Sequence, residues 1–165
     1  MLKNRNLQGT ICLLACLMSG APVHASEAED YFSKAQQAHR KGRVGQAERY
    51  YYRAFMADSG LVEAAAALAD LYYVQGRMEE ASSILDRALE NHPDNGQLWA
   101  RKGLLYRAAG EMDKAREAYE QAIAASPDDP VILERAAGFY KLIGDAATAE
   151  ALSQARRALL EARKK

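Results

Sequence analysis

An all-α fold built from one helical hairpin written four times is what the sequence predicts, and three observations predict it. Gly42, Gly76, Gly110 and Gly144 stand 34 residues apart without a slip. The alanines Ala47, Ala81, Ala115 and Ala149 keep the same interval, as do the small residues Ala35, Ala69, Gly103 and Ala137. Between those glycines, residues recur at helical spacing: Trp99, Gly103 and Tyr106 fall at i, i+4 and i+7, one stripe of a helix. A fixed period of this length marks stacked units, because one hairpin cannot bury its own apolar face and the next copy must cover it.

Four units follow, at 28–61, 62–95, 96–129 and 130–163. Each divides into two helices at its glycine, which can take the left-handed conformation that ends a helix. In the third unit Glu111 and Asp113 then place negative charge at the start of the second helix, where its dipole favours it. Ala115, Tyr119 and Ala122 make the inner stripe of that helix until Ser126-Pro127 breaks it. Asp129 is placed to cap the fourth unit's first helix, with Pro130 at its first position. Within a hairpin the small residues at positions 8 and 20 let the helices approach. The alanine at position 27 (Ala54, Ala88, Ala122) does the same for the next unit. The fourth unit departs there, with Ser153 at position 24 and Arg156 at position 27. A polar face at those places terminates the stack, and the basic end "ARRALLEARKK" completes that capping helix.

These residues resemble the tetratricopeptide repeat family, whose pattern runs W-x₂-L-G-x₂-Y, then A-x₃-F, then P. The third unit meets it with Trp99, Gly103, Tyr106, Ala115, Tyr119 and Pro127, and departs from it at Lys102, where Leu is expected. The second meets it with Leu68, Ala69, Tyr72, Ala81, Ala88 and Pro93. The resemblance covers nearly all of residues 26–165 and implies an α-solenoid of four antiparallel helix-turn-helix repeats. It also implies a concave, partner-binding surface lined by the first helices.

The first 25 residues read differently. Lys3 and Arg5 precede an apolar run, "ICLLACLM", and Val23 and Ala25 then occupy the −3 and −1 places of a small-residue cleavage site. This is the pattern of a secretory signal ending at Ala25, with a run too short to anchor in a bilayer. Leu13 to Cys16 also fits a bacterial lipobox, in which Cys16 would carry lipid. Only five apolar residues, Ile11 to Ala15, precede that cysteine, fewer than the roughly 7–15 of an ordinary signal core. The expectation is therefore an exported, periplasmic protein, with attachment through Cys16 as the alternative.

Composition narrows the function. Of 165 residues, 22 are basic and 22 acidic, and this balance gives no electrostatic footprint for nucleic acid. Both cysteines lie in the leader, so the remainder has no thiol for a disulfide, a metal or a nucleophile. His39 and His92 sit on different units without ligand spacing. No phosphate-binding loop or nucleophile elbow occurs, and Asp128-Asp129 reads as a cap rather than a catalytic pair. The expectation is a chain that is not an enzyme and needs neither cofactor nor metal.

The resemblance supplies the candidate site. In the family, positions 2, 5, 9 and 12 build the concave face, and its candidate contacts here are Phe32, Gln36, His39, Asp70, Tyr73, Leu104, Arg107 and Lys141. Large apolar groups rimmed by both signs of charge suit a peptide or helix from another exported protein. The lysine and asparagine with which some members clamp a C-terminal carboxylate are missing from positions 5 and 9. The expected role is an adaptor or scaffold in the bacterial cell envelope, serving pilus, secretion or other assembly. The alternative is a self-associating module pairing as a homodimer through its N-terminal end or through "RYYYRAF", residues 49–55. In that stretch Tyr51 and Phe55 are expected in the core and at least one of Tyr50 and Tyr52 outside it.

Overall fold

The structure, a computed structural model, describes residues 23–164. The predicted leader, with Cys12 and Cys16, lies almost wholly outside the described residues. These hold eight α-helices and no strand: α1 (Val23–Arg40), α2 (Val44–Ala57), α3 (Val62–Val74), α4 (Met78–Asn91), α5 (Gly96–Ala108), α6 (Met112–Ala125), α7 (Pro130–Leu142) and α8 (Ala146–Ala162). From α3 onward the helices open at positions 1 and 17 of the 34-residue period without exception. The all-α hairpin architecture is as the sequence predicts.

The four spaced glycines end the first helices. They are the residues with positive φ among those described, at 69°, 74°, 79° and 83°. At Gly110 the amide donates to the Arg107 carbonyl (3.1 Å) and the Glu111 amide reaches back to that of Tyr106 (2.9 Å). This is the Schellman closure, and only a residue without a Cβ takes its left-handed turn at no steric cost. The same pair of bonds closes α1, α3 and α7.

The chain divides into two compact units between Ala64 and Ala65. In the first, α1 lies against α2. Ala35 and Ala47, at positions 8 and 20, are fully buried and bring the two helices close. Tyr51 and Phe55 lie in the core, Tyr50 stacks on Tyr31 at 6.4 Å, and Tyr52 stays 44% exposed. The aromatic stretch thus divides between core and surface as expected.

In the second unit the hairpins α5–α6 and α7–α8 stack, with α5 touching both α6 and α7. Their shared core joins Tyr119, Ala122, Ile132, Ala136, Phe139 and Tyr140. Gly103 is buried under the Tyr119 ring, where a Cβ would come within 2.9 Å of a ring carbon. Trp99 donates its indole N–H to the Pro93 carbonyl at 2.7 Å, linking the repeat's tryptophan to the proline that closes the previous copy. Lys102 fills its leucine place as a stem with a charged tip. Its ammonium stands 5.5 Å from the Trp99 ring and 5.4 Å from that of Tyr106, and bonds Asp86 on α4. Burial pulls the Lys102 pKa down, but the Asp86 carboxylate and the Tyr106 hydroxyl outweigh it and hold it above the ordinary lysine value.

Asp129 caps α7 as predicted, accepting from the Val131 amide at 2.8 Å and more weakly from that of Ile132 at 3.4 Å. It also accepts from the Gln97 side chain on α5. Burial pushes its carboxyl up, yet Gln97, the two amides and Arg163 together hold it below the usual aspartate value. A depressed folded pKa gives stability that is present above the unfolded pKa and lost as pH falls through the folded one. Asp129→Ala is therefore expected to cost about 1 kcal/mol at neutral pH, with the deficit closing below about pH 4. Urea midpoints of the two proteins across that range check it; a deficit that persists undiminished in acid contradicts the cap.

Candidate interaction surface

The predicted contact residues fall on the first helices of both units. Phe32, Gln36 and His39 follow one another up α1. Phe32 is half-buried with its ring 5.8 Å from that of Tyr51, and His39 sets its edge on the same ring at 6.2 Å, so both serve the first unit's packing. Gln36 is exposed.

In the second unit Asp70 and Tyr73 lie on α3, Leu104 and Arg107 on α5 and Lys141 on α7. Tyr73, Leu104 and Arg107 are half-buried, with part of each side chain open to a partner. Position 5 corrects the expected lining: Ala66 is 8% exposed and Ala100 fully buried. Little of either side chain is open to a partner.

Asp70 is already engaged. Arg101 grips it with both prongs, Nε to Oδ1 at 3.0 Å and Nη2 to Oδ2 at 3.1 Å, and also donates to the Gln97 carbonyl. The sequence reading missed this arginine because its partner lies 31 residues away. The signal was present in the repeat itself, since position 6 of one copy meets position 9 of the copy before.

Burial raises the Tyr119 phenol's pKa, and the guanidinium groups of Arg107 and Arg135 oppose that rise, with Tyr73 adding to it. Arg135 is a second residue that sequence reasoning passed over.

Lys141 lines a different concavity. A hollow of about 440 Å³ opens at the outer face of the last hairpin, floored by Ala137, Ala146 and Ala149. Its rim carries Glu134, Lys141, Glu150, Ser153 and Arg156. One repeat earlier, α7 covers the equivalent face with Ile132 and Phe139. Arg156 pairs with Glu134 at 3.2 Å across the hollow, which gives the expected polar face its structural form.

Among the described residues, no three His, Cys, Asp or Glu side chains gather where they could hold a metal ion. Nor is any described helix long and apolar enough to cross a membrane.

Residues 66–130 match the family model for the tetratricopeptide repeat, the stretch in which the 34-residue pattern is best kept. Over that stretch the chain is similar to the tetratricopeptide repeat. None of the curated proteins matches its sequence. Solved structures match its fold. MamA 41-end from Desulfovibrio magneticus RS-1 superposes with a TM-score of 0.70 at 14% identity, covering all of both chains. TTC0263, a thermophilic tetratricopeptide protein in Thermus thermophilus, gives a TM-score of 0.66 at 24% identity over 84% of this chain and 82% of its own. The first tetratricopeptide domain of Spaghetti, bound to the HSP90 peptide SRMEEVD, gives 0.64 at 16% identity over 74% of this chain and 99% of its own. At these identities the likeness is one of fold.

Proposed function

We propose that this chain is a non-enzymatic adaptor that holds a peptide or helix of another protein on the first-helix face of its second unit. The observation that carries this reading is the half-buried set Tyr73, Leu104 and Arg107 on α3 and α5. Apolar surface kept partly open beside charge is what a partner's side chains cover, and repeat arrays bind through such faces. A tetratricopeptide domain seen with a bound peptide supports the kind of occupant. The leader-like pattern of residues 1–25 supports a place in the bacterial cell envelope, with the occupant another exported protein. Pilus, secretion and other envelope assembly are the settings that fit such an adaptor.

The test is capture from an envelope extract by the wild-type protein and by Tyr73→Ala with Leu104→Ala. Retained helicity of the double variant and loss of the wild-type partner are expected. Identical partner profiles overturn the reading.

A second reading, self-association, rests on the outer face of α2. Val44, Tyr52 and Met56, spaced by multiples of four, are 43%, 44% and 50% exposed and so form one apolar strip. A monomer by sedimentation at high concentration removes it.

A further inference from the structure

The 34-residue register permits a comparison of the chain with itself. Arg101 on α5 holds Asp70 on α3 in a two-pronged pair. Moving both positions one repeat on gives Arg135 on α7 and Leu104 on α5. The second arginine is kept, and its acid has become a leucine. The consequence is visible at the side chain: Arg135 is half-buried, and its Nη1 is enclosed without a hydrogen-bond partner. A guanidinium N–H removed from water and given no acceptor is costly, so such a group marks a place built for an absent acceptor.

Nearby carboxylates do not supply one. Asp70 is held by Arg101, and Glu134, beside Arg135 on α7, pairs with Arg156. Arg107, half-buried on α5, adds a second guanidinium to the candidate surface. Two cations thus stand on a surface whose other open members are Tyr73 and Leu104.

We propose that the segment held by the second unit contributes an Asp or Glu side chain that pairs with Arg135 over Leu104, as Asp70 pairs with Arg101 one repeat earlier. The inference rests on the interaction surface argued above. The internal precedent is a planar carboxylate met by an arginine fork, two parallel N–H bonds matching two carboxylate oxygens. The apolar Leu104 in place of an acid keeps the array from satisfying the arginine itself and gives the partner's methylene groups a surface to cover.

Two measurements on the full chain test this. First, Leu104→Asp restores the missing acid. If the site takes a carboxylate, adding Arg135→Met to Leu104→Asp lowers the melting midpoint by about 3 °C more than Arg135→Met lowers that of wild type. No such coupling overturns the proposal.

Second, a displayed library of 15-residue peptides is selected on wild type, and winners are remade with each Asp or Glu changed to Asn or Gln, to phosphoserine, or moved to the free C-terminus. One internal acid is expected to carry about tenfold in affinity, lost in Arg135→Met and in Leu104→Asp. Winners indifferent to their acids, or preferring phosphoserine or a terminal carboxylate, overturn the proposal while leaving the surface itself standing. Failure of wild type to select any peptide, or selection unaffected by Tyr73→Ala with Leu104→Ala, overturns both.

Discussion

Replacing Phe139 with alanine is expected to destabilise the second unit by about 4 kcal/mol, in the range for emptying an aromatic site in a closed core. Phe139 is fully buried on α7. Its ring centroid lies 5.0 Å from that of Tyr119 on α6 and 5.5 Å from that of Tyr140, the latter edge-on at 72°. Ala100, Ala122 and Ala136, each fully buried, are among the residues of its cluster. Side chains without rotamers have nothing to swing inward, so the cavity persists and its cost adds to the lost transfer energy. Since Phe139 and Ile132 cover the face that Tyr119 and Ala122 present, the variant loosens the joint between the third and fourth hairpins. Urea unfolding is expected to show a lower midpoint with an unchanged slope. A loss below about 1 kcal/mol contradicts the central place given to this ring.

The sequence made the hairpins legible because their punctuation is chemical. A glycine that must turn left-handed, an aspartate that must accept from exposed amides and a proline that lacks an N–H each bear on one backbone conformation. Gly110 and Asp129-Pro130 stand where that chemistry places them. Tyr51 and Phe55 were legible for a related reason, since helical periodicity assigns a stripe. Position 10 was not. Leu71, Leu105 and Phe139 are buried there, yet they lie beside the stripe that the family pattern emphasises. Which flank of a helix is covered depends on how α5 and α7 cross, and no single repeat encodes that angle. The partner of Arg101 was hidden for the same reason. A pair 31 residues apart becomes visible only once two copies are laid against each other. The proposed partner surface was read as a face of the first helices, and the burial of Ala66 and Ala100 within that face was not legible from one repeat.

Gly96→Val is expected to cost about 3 kcal/mol, the upper part of the range for forcing atoms into a filled site. Two effects oppose each other at this position. Glycine in a helix costs up to about 1 kcal/mol relative to alanine, so a side chain here gains on backbone entropy alone. Gly96 is not among the residues with positive φ, and no conformational strain stands in the way. Space does. A Cβ on Gly96 would fall 2.7 Å from the Ala122 carbonyl oxygen, 2.7 Å from Ser126 Oγ and 2.9 Å from Ile132 Cδ1. Ser126 and Ile132 present side-chain atoms that can rotate or shift. The Ala122 carbonyl belongs to the backbone of α6 and can give way only if the helix moves. Even Gly96→Ala is therefore expected to lose stability, by about 1 kcal/mol, because overpacking outweighs the propensity gain. Gly138 provides the contrast within the same unit. It also lies in a helix without positive φ, and a Cβ there meets nothing within 4 Å. Gly138→Ala should raise stability by about 0.5–1 kcal/mol, since only the unfolded chain's freedom is reduced. Opposite signs at the two glycines, read from the same urea unfolding experiment, test the stacking directly. A neutral Gly96→Val would mean that α5 does not approach the end of α6 as closely as the hairpin requires.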